Sequence, residues 1–477
     1  MDVYKIPLLL KNKKLSAQKF ISDKLKQIKK ADNKYKFALS LFTEYALTKA
    51  KAIDNKIARG GEVGRLAGIP FGIKDNIAMK YGNTTCGSKI LQDYKSPYAA
   101  KVIDDIEKED GIIIGKTNMD EFAMGSSTEY SYFHKTLNPW DTSRVPGGSS
   151  GGSAAMVSAV DECISLGSDT GGSVRQPAAF CGVVGLKPTY GSISRYGLIA
   201  FSSSLDQIGI MGRKIKEVAY IFDYLKKEDK RDASMAHPLS GPDTFEKLEC
   251  RDNFKIAVPY KIFENKTEPA IIKSTNKIIE NLKTKGYKVE EVPVLYDQYY
   301  IPIYYTIASA EVSSNLSRFD GVRFGLNEKS VDSFREMFVK NRSEGFGQEV
   351  KRRIMIGTFI LSAGYEDKFY QKAQKLQRDL SRRVDEIFTS YDAILLPTTP
   401  TTAFKFGEKS GKPLDMYHSD FFTSFANITG NPAITIPAGN DENNLPIGLQ
   451  LVGDKFREDK IFGLAYRIEK LIKEINL

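Results

Sequence analysis

Two Gly/Ser-rich turns carry the residue types that act on a carbonyl: Pro146-Gly-Gly-Ser149-Ser150-Gly-Gly-Ser153 and Gly167-Ser168-Asp169-Thr170-Gly171-Gly172-Ser173. Gly171 and Gly172 permit the φ/ψ values that aim successive N–H groups into one pocket, where a tetrahedral oxyanion would be stabilised. Ser173, directly after them, is placed to attack a carbonyl whose oxygen already lies among those donors. A flexible Gly/Ser linker is the bland alternative. It fits poorly, because the first turn runs straight into an apolar helical stretch from Ala154 to Val160.

A nucleophilic serine needs a base. The chain has three histidines, His134, His237 and His418, and the second turn is not a strand-turn-helix GxSxG elbow. A lysine is the other choice. Lys74 follows the apolar run Ile69 to Ile73, where desolvation would pull its pKa down from about 10.4 and leave an amine able to accept a proton. Taken alone, Lys74 could equally pair with Asp75 or simply close the strand.

Other patterns carry less chemistry. Gly111-Ile-Ile-Ile-Gly115-Lys116-Thr117 resembles a phosphate loop but is one residue short between its glycines, and its isoleucines suit a buried strand. No His/Cys cluster has metal-ligand spacing, so no metal is expected. Cys86, Cys163, Cys181 and Cys250 form no CxxC pair and read as reduced and mostly buried.

These residues must be held by an alternation of strands and helices. Phe20, Ile21, Leu25 and Ile28 recur at helical spacing, and a second helix is predicted from about Lys36 to Ala52. From Ala67 onward the pattern changes to short apolar runs: Ile69 to Ile73, Ile112 to Ile114, Cys163 to Leu166, Ile256 to Val258, Ala393 to Leu396, Ile434 to Ile436 and Leu449 to Val452. Helical stretches intervene at Ala100 to Glu109, Ala154 to Val160, Asp367 to Ile387 and Lys460 to Lys473. The fold class is α/β.

With 477 residues, 41% apolar and 27% charged, the chain excludes disordered, collagen-like and coiled-coil classes. Its apolar stretches fall short of the roughly 20 residues that span a bilayer. Ile6 to Leu10 lacks a following cleavage site, so no secretory signal and a cytoplasmic location are expected. The net charge of +10 is concentrated at the start, where residues 1–60 hold 15 Lys or Arg against 5 Asp or Glu. That surface, with Lys24, Lys26, Lys29 and Lys30, either faces nucleic acid or is a solvated helical face; 50 Lys against 19 Arg favours the second.

Through these stretches the chain resembles the amidase signature family, whose catalytic set is serine, cis-serine and lysine. The resemblance includes Gly68-Ile-Pro-Phe-Gly-Ile-Lys-Asp-Asn76, Gly115-Lys-Thr-Asn-Met-Asp-Glu-Phe-Ala-Met124, Arg144-Val-Pro-Gly-Gly-Ser149 and Gln176-Pro-Ala-Ala-Phe-Cys-Gly-Val-Val-Gly-Leu-Lys-Pro188. It implies a large mixed central β-sheet covered by helices on both faces, in a single domain over residues 1–477. Its parts would be an N-terminal helical region (1–60), a signature core (67–215), a helix-rich lobe (220–390) and a C-terminal part of the core (391–477). Carried over by position, Ser173 is the acylated nucleophile, Ser149 the bridge through a cis peptide, and Lys74 the proton acceptor. Thr170, Gly171, Gly172 and Ser173 would offer the oxyanion N–H groups.

Within that family the chain is similar to the glutaminase subunits of tRNA-dependent amidotransferases, on Ser203-Ser-Leu-Asp-Gln207, Asn315-Leu-Ser-Arg-Phe-Asp-Gly321 and Glu349-Val-Lys-Arg-Arg-Ile354. Glu366 and Ser192 depart from the pattern, standing where an aromatic residue and an arginine are expected. The resemblance implies hydrolysis of glutamine to glutamate, with ammonia used to convert Glu-tRNA(Gln) to Gln-tRNA(Gln), and in some systems Asp-tRNA(Asn) to Asn-tRNA(Asn). The implied partners are amidotransferase subunits B and C, in a heterotrimer that handles misacylated tRNA. ATP and magnesium are used by the partner subunit, and no cofactor is expected in this chain. Arg353 would grip the α-carboxylate of glutamine, Asp420 its α-amino group, and Tyr304 would line the pocket. Structurally, Arg353 could instead pair with Glu349 one helical turn earlier, and Asp420 could cap a helix. Two other readings compete: a stand-alone amidase of the same fold acting on small amides, and a catalytically silent binding module.

Overall fold

The short apolar runs assemble into one mixed sheet. The computed structural model describes residues 1–236, 243–251, 253–264, 267–293, 295–327 and 332–477. Among them are eleven strands: β1 (Ala38–Leu41), β2 (Pro70–Lys74), β3 (Ile112–Thr117), β4 (Ile164–Asp169), β5 (Val184–Lys187), β6 (Gln207–Gly212), β7 (Lys255–Val258), β8 (Lys288–Glu291), β9 (Ala393–Pro397), β10 (Ala433–Asn440) and β11 (Pro446–Gly453). They lie in the order β1-β3-β2-β4-β6-β5-β10-β11-β9-β7-β8. The segment 220–390 thus contributes β7 and β8 to the sheet besides its helices.

Helices cover the sheet on both faces. On β6, Gly209 abuts Val174, while Gly212, of opposite parity, abuts Val218 on the helix Ile215–Leu225. The helix Gly151–Ala159 packs on β2 and β4, and the helix Glu458–Glu474 packs on β10 and β11. With both faces buried, the central strands carry nearly continuous apolar runs; every residue of β2, β3 and β4 is buried.

The placement of the site follows from strand direction. β2 runs parallel to both β3 and β4, with Lys74 opposite Thr117 and Ile73 opposite Leu166. The carboxyl ends of all three therefore open at one edge, where sites in such sheets form. Lys74, the segment Asn118 to Asp120, and the Asp169 to Ser173 turn leave the sheet together.

Several expectations are corrected. The helix predicted from Lys36 to Ala52 begins with strand β1 and becomes helical only over Thr43–Ala58. Lys36, at φ 55°, ends the preceding helix, and Ala38 to Leu41 then find backbone partners along β3 that local periodicity cannot reveal. Lys24 is not a surface cation: it is buried, pairs with Glu162 and donates to the Asp161 carbonyl at 3.1 Å. Cys86, Cys163 and Cys181 are buried but Cys250 is exposed, and His237 lies outside the described residues. Among the described residues, no helix is long and apolar enough to cross a membrane.

Candidate active site

Lys74 ends β2 fully buried, and its Nζ donates to Ser149 Oγ at 2.7 Å, to Ser168 Oγ at 2.9 Å and to the Ser168 carbonyl at 3.2 Å. The alternative pairing with Asp75 is not made. Asp75 is occupied by Lys116 at 3.4 Å and by Thr85, and Lys116 also donates to the Ile77 carbonyl at 2.6 Å. Complete burial pulls the Lys74 pKa down to about 7, against the opposing pull of the Asp120, Asp169 and Asp206 carboxylates. An amine with that pKa exchanges protons near neutrality.

Ser149 is reached through a cis Gly148–Ser149 peptide and is fully buried. Its surroundings are fixed from three sides. The Asp120 N–H donates to the Ser149 carbonyl at 3.2 Å, the Gly148 N–H to Gln176 Oε1 at 2.9 Å, and the Ser150 N–H to the Ser173 carbonyl at 3.2 Å. The last bond stitches the two Gly/Ser turns together, so hydroxyls 24 positions apart in sequence belong to one site.

The turn that carries Ser173 is braced by a buried ion pair. Arg175 Nε and Nη2 clamp Asp169 at 3.0 and 2.9 Å, and the remaining guanidinium donors reach the Thr423 carbonyl, Gln450 Oε1 and Asn427 Oδ1 at 2.8, 2.6 and 2.6 Å. Both side chains are fully buried. Although burial alone would raise it, the Asp169 pKa is held down at about 2 by Arg175 and its hydrogen bonds. The carboxylate in turn shapes the backbone, accepting from the N–H groups of Gly172 at 2.9 Å and Val174 at 3.1 Å.

This brace reassigns one expected oxyanion donor. The Gly172 N–H is already committed to Asp169, whereas the N–H groups of Gly171 and Ser173 have no acceptor among the described residues. Thr170 is tied through its hydroxyl to Asp206 at 2.6 Å. Gly172, at φ +134°, supplies the turn conformation, and a Cβ there would lie 2.1 Å from Thr423 Oγ1. Ser173 is the least enclosed of the three catalytic candidates, at 8% exposure.

Beside this turn lies a cage of opposite charges. A Cβ on Gly171 would lie 2.6 Å from the Tyr304 hydroxyl, which puts Tyr304 directly against the turn. Arg353, buried on the helix Gln348–Ile360, has its guanidinium carbon 4.9 Å from the Tyr305 ring centre and 5.4 Å from that of Tyr417. Arg353 Nε does pair with Glu349, at 2.8 Å, but its two terminal amino groups have no acceptor among the described residues. Asp420 occupies the N-cap position of the helix Phe421–Thr429 without making a side-chain cap bond. It accepts instead from Ser126 Oγ at 2.9 Å and from the Tyr305 hydroxyl at 3.1 Å. Tyr305 therefore links the two charges. Burial raises the Asp420 pKa to about 7, with Ser126 and Arg353 opposing.

Ser168, Ser126, Tyr305 and Tyr417 belong to this arrangement but are not among the residues that the sequence singles out. Ser168 lies inside the quoted turn, and Tyr305 is the chain neighbour of Tyr304. The Ser126 and Tyr417 contacts span 294 and 68 positions and leave no local pattern. Among the described residues, no three His, Cys, Asp or Glu side chains gather in a way that would hold a cation.

This geometry has close relatives. The family described as Amidase matches residues 19–462. The glutamyl-tRNA(Gln) amidotransferase A-subunit of Clostridium botulinum is 47% identical, with 99% of this chain and 97% of the relative covered. Its counterpart in Desulforamulus reducens is also 47% identical, over 98% and 97%. The crystal structure of the protein of that name from Thermotoga maritima superposes with a TM-score of 0.77 at 41% identity, covering 94% of this chain and 90% of that one. Sheet order, the lysine-serine contact and end-to-end likeness agree, and the chain belongs to the amidase family.

Proposed function

We propose that the chain is the glutamine-hydrolysing subunit of a tRNA-dependent amidotransferase, with Ser173, Ser149 and Lys74 as its catalytic residues. The observation that carries this is the hydrogen-bonded Lys74–Ser149 pair, stitched to the Ser173 turn and set beside a cage holding Arg353 and Asp420. With Lys74 neutral, the Lys74–Ser149 contact reverses and the Ser149 hydroxyl donates to Nζ. Ser149 then takes the Ser173 proton as Ser173 Oγ forms a bond to the side-chain amide carbon of glutamine. The developing oxyanion is met by the N–H groups of Gly171 and Ser173. The C–N bond breaks, ammonia departs with the relayed proton, and water hydrolyses the acyl-enzyme to glutamate.

The cage supplies selectivity for free glutamine over other amides. Its α-carboxylate takes the unpaired edge of the Arg353 guanidinium, its α-ammonium takes Asp420, and Tyr304 walls the pocket. The relatives named for amidotransferase activity support a multi-subunit assembly, in which subunits B and C receive the ammonia and act on Glu-tRNA(Gln) or Asp-tRNA(Asn). The ATP and magnesium chemistry is assigned to the partner subunit, and the complex to the cytoplasm. The experiment is ammonia release from glutamine by the chain with its partner subunits, ATP and Glu-tRNA(Gln). Release that depends on Ser173 and rises with the partners is the expected result; hydrolysis of unrelated amides with glutamine ignored would instead identify a free-standing amidase.

A further inference from the structure

One short stretch, Asp120 to Ser126, touches every part of the site. Through its N–H, Asp120 holds the Ser149 carbonyl, and through its hydroxyl, Ser126 holds Asp420. Glu121, between them, reaches the helix that carries Arg353. Gly347 is the N-cap residue of that helix and has no side chain with which to organise the first turn. Glu121 meets it from outside: the Gly347 N–H donates to Glu121 Oε2 at 2.8 Å, the bond that the glutamate of a capping box makes within its own helix.

This contact is built rather than incidental. Glu121 is 3% exposed, and its other oxygen is held by the Ser88 hydroxyl, which also approaches the Gly345 carbonyl at 3.3 Å. A Cβ at position 347 would lie 2.3 Å from Glu121 Oε2, so the close approach demands glycine there. Phe122 and Ala123, at φ +48° and +63°, are in the left-handed region that is disfavoured for residues bearing a side chain. That turn sets Phe122 against Phe319 and Phe346, with ring centres 5.0 and 5.6 Å apart. Glu121 and Phe122 thus form two adjacent anchors on the helix-rich lobe. Arg353 lies six residues beyond Gly347, about 9 Å along the helix axis.

We infer that Glu121 is a positioning residue for glutamine selection: it fixes the start of the Arg353 helix against the segment that holds Asp420, and so sets the spacing between the two charges. This rests on the reading of Arg353 as the carboxylate ligand.

A double-mutant cycle in the full chain with its partner subunits tests it, reading KM and kcat for glutamine in wild type, Glu121→Ala, Arg353→Ala and the double variant. Glu121→Ala is expected to raise KM by about fivefold or more with kcat held within about threefold, and to add no more than about twofold once Arg353 is absent. Glu121→Gln, the milder change, moves KM in the same direction and carries the same cycle if the alanine variant does not melt cooperatively. An unchanged KM, or independent multiplication of the two effects, would overturn the inference. If Arg353→Ala itself leaves KM unchanged, the assignment of the carboxylate ligand has failed, and the inference with it.

Discussion

Lys74 Nζ and Ser149 Oγ are 2.7 Å apart, both wholly enclosed, at the carboxyl end of a parallel strand. Lys74 has no carboxylate partner, because its neighbour Asp75 is taken by Lys116. The burial that lowers its pKa is therefore not offset by a direct ion pair, and the amine is available as a base. Everything downstream in the proposed reaction depends on this exclusion.

Replacing Lys74 with Met should preserve the volume of the side chain and remove the base. Glutamine turnover should fall by about 10² to 10⁴-fold, as for loss of general acid–base catalysis, with KM little changed. Ser173→Ala should lose at least as much, and mass spectrometry should detect no acyl-enzyme. Turnover within a factor of ten of wild type for Lys74→Met would remove Lys74 from the mechanism.

The pH dependence has a defined sign. Lys74, with a pKa lowered to about 7, must be neutral to accept a proton, and Asp420, raised to about 7, must be ionised to hold an ammonium. Both conditions fail as pH drops, so kcat/KM should rise through neutrality with a log–log slope above one. In Asp420→Asn the slope should relax toward one as the level of activity falls. A pH-independent profile between pH 5.5 and 8, set as the range to scan around these values, would contradict both assignments.

Arg353→Ala removes the guanidinium edge left free by Glu349. A hydrogen bond to a charged group is worth about 1.5 to 3 kcal/mol, so KM for glutamine should rise by about 10 to 150-fold while kcat changes less. Steady-state kinetics with glutamine settles this, and equal KM values would refute the carboxylate role.

Arg175→Met should act on stability before it acts on chemistry. It strands the Asp169 carboxylate in a fully buried site and breaks the further contacts of the brace to Thr423, Gln450 and Asn427. The expected loss is about 3 to 5 kcal/mol, read from a denaturant melt near neutral pH. The sign follows from the Asp169 pKa, which is lowered on folding: its contribution is present above the unfolded value of 3.8 and fades as pH falls through about 2, so the variant and wild type should converge in strong acid. A melt superimposable on wild type would show that the brace is dispensable.

The sequence by itself determined the contiguous parts. The α/β alternation, the two Gly/Ser turns, the nucleophile candidate Ser173 and the strand-terminal Lys74 are all legible because they depend on spacing of a few residues along one segment. Charge identity also survived, since Arg353 and Asp420 are placed in one cage joined by Tyr305. Tertiary structure decided which partner each group meets. It gave Asp75 to Lys116, Lys74 to Ser168, the Gly172 N–H to Asp169, Asp420 to Ser126, and the cap of the Arg353 helix to Glu121. It also turned Ala38 to Leu41 into an edge strand instead of helix. The reason is common to all of them: a hydrogen bond or ion pair forms only within about 3 to 4 Å, and in a buried site each polar group takes whatever partner the packing brings that close. Sequence names the groups that must be satisfied, and the packing of distant segments chooses how.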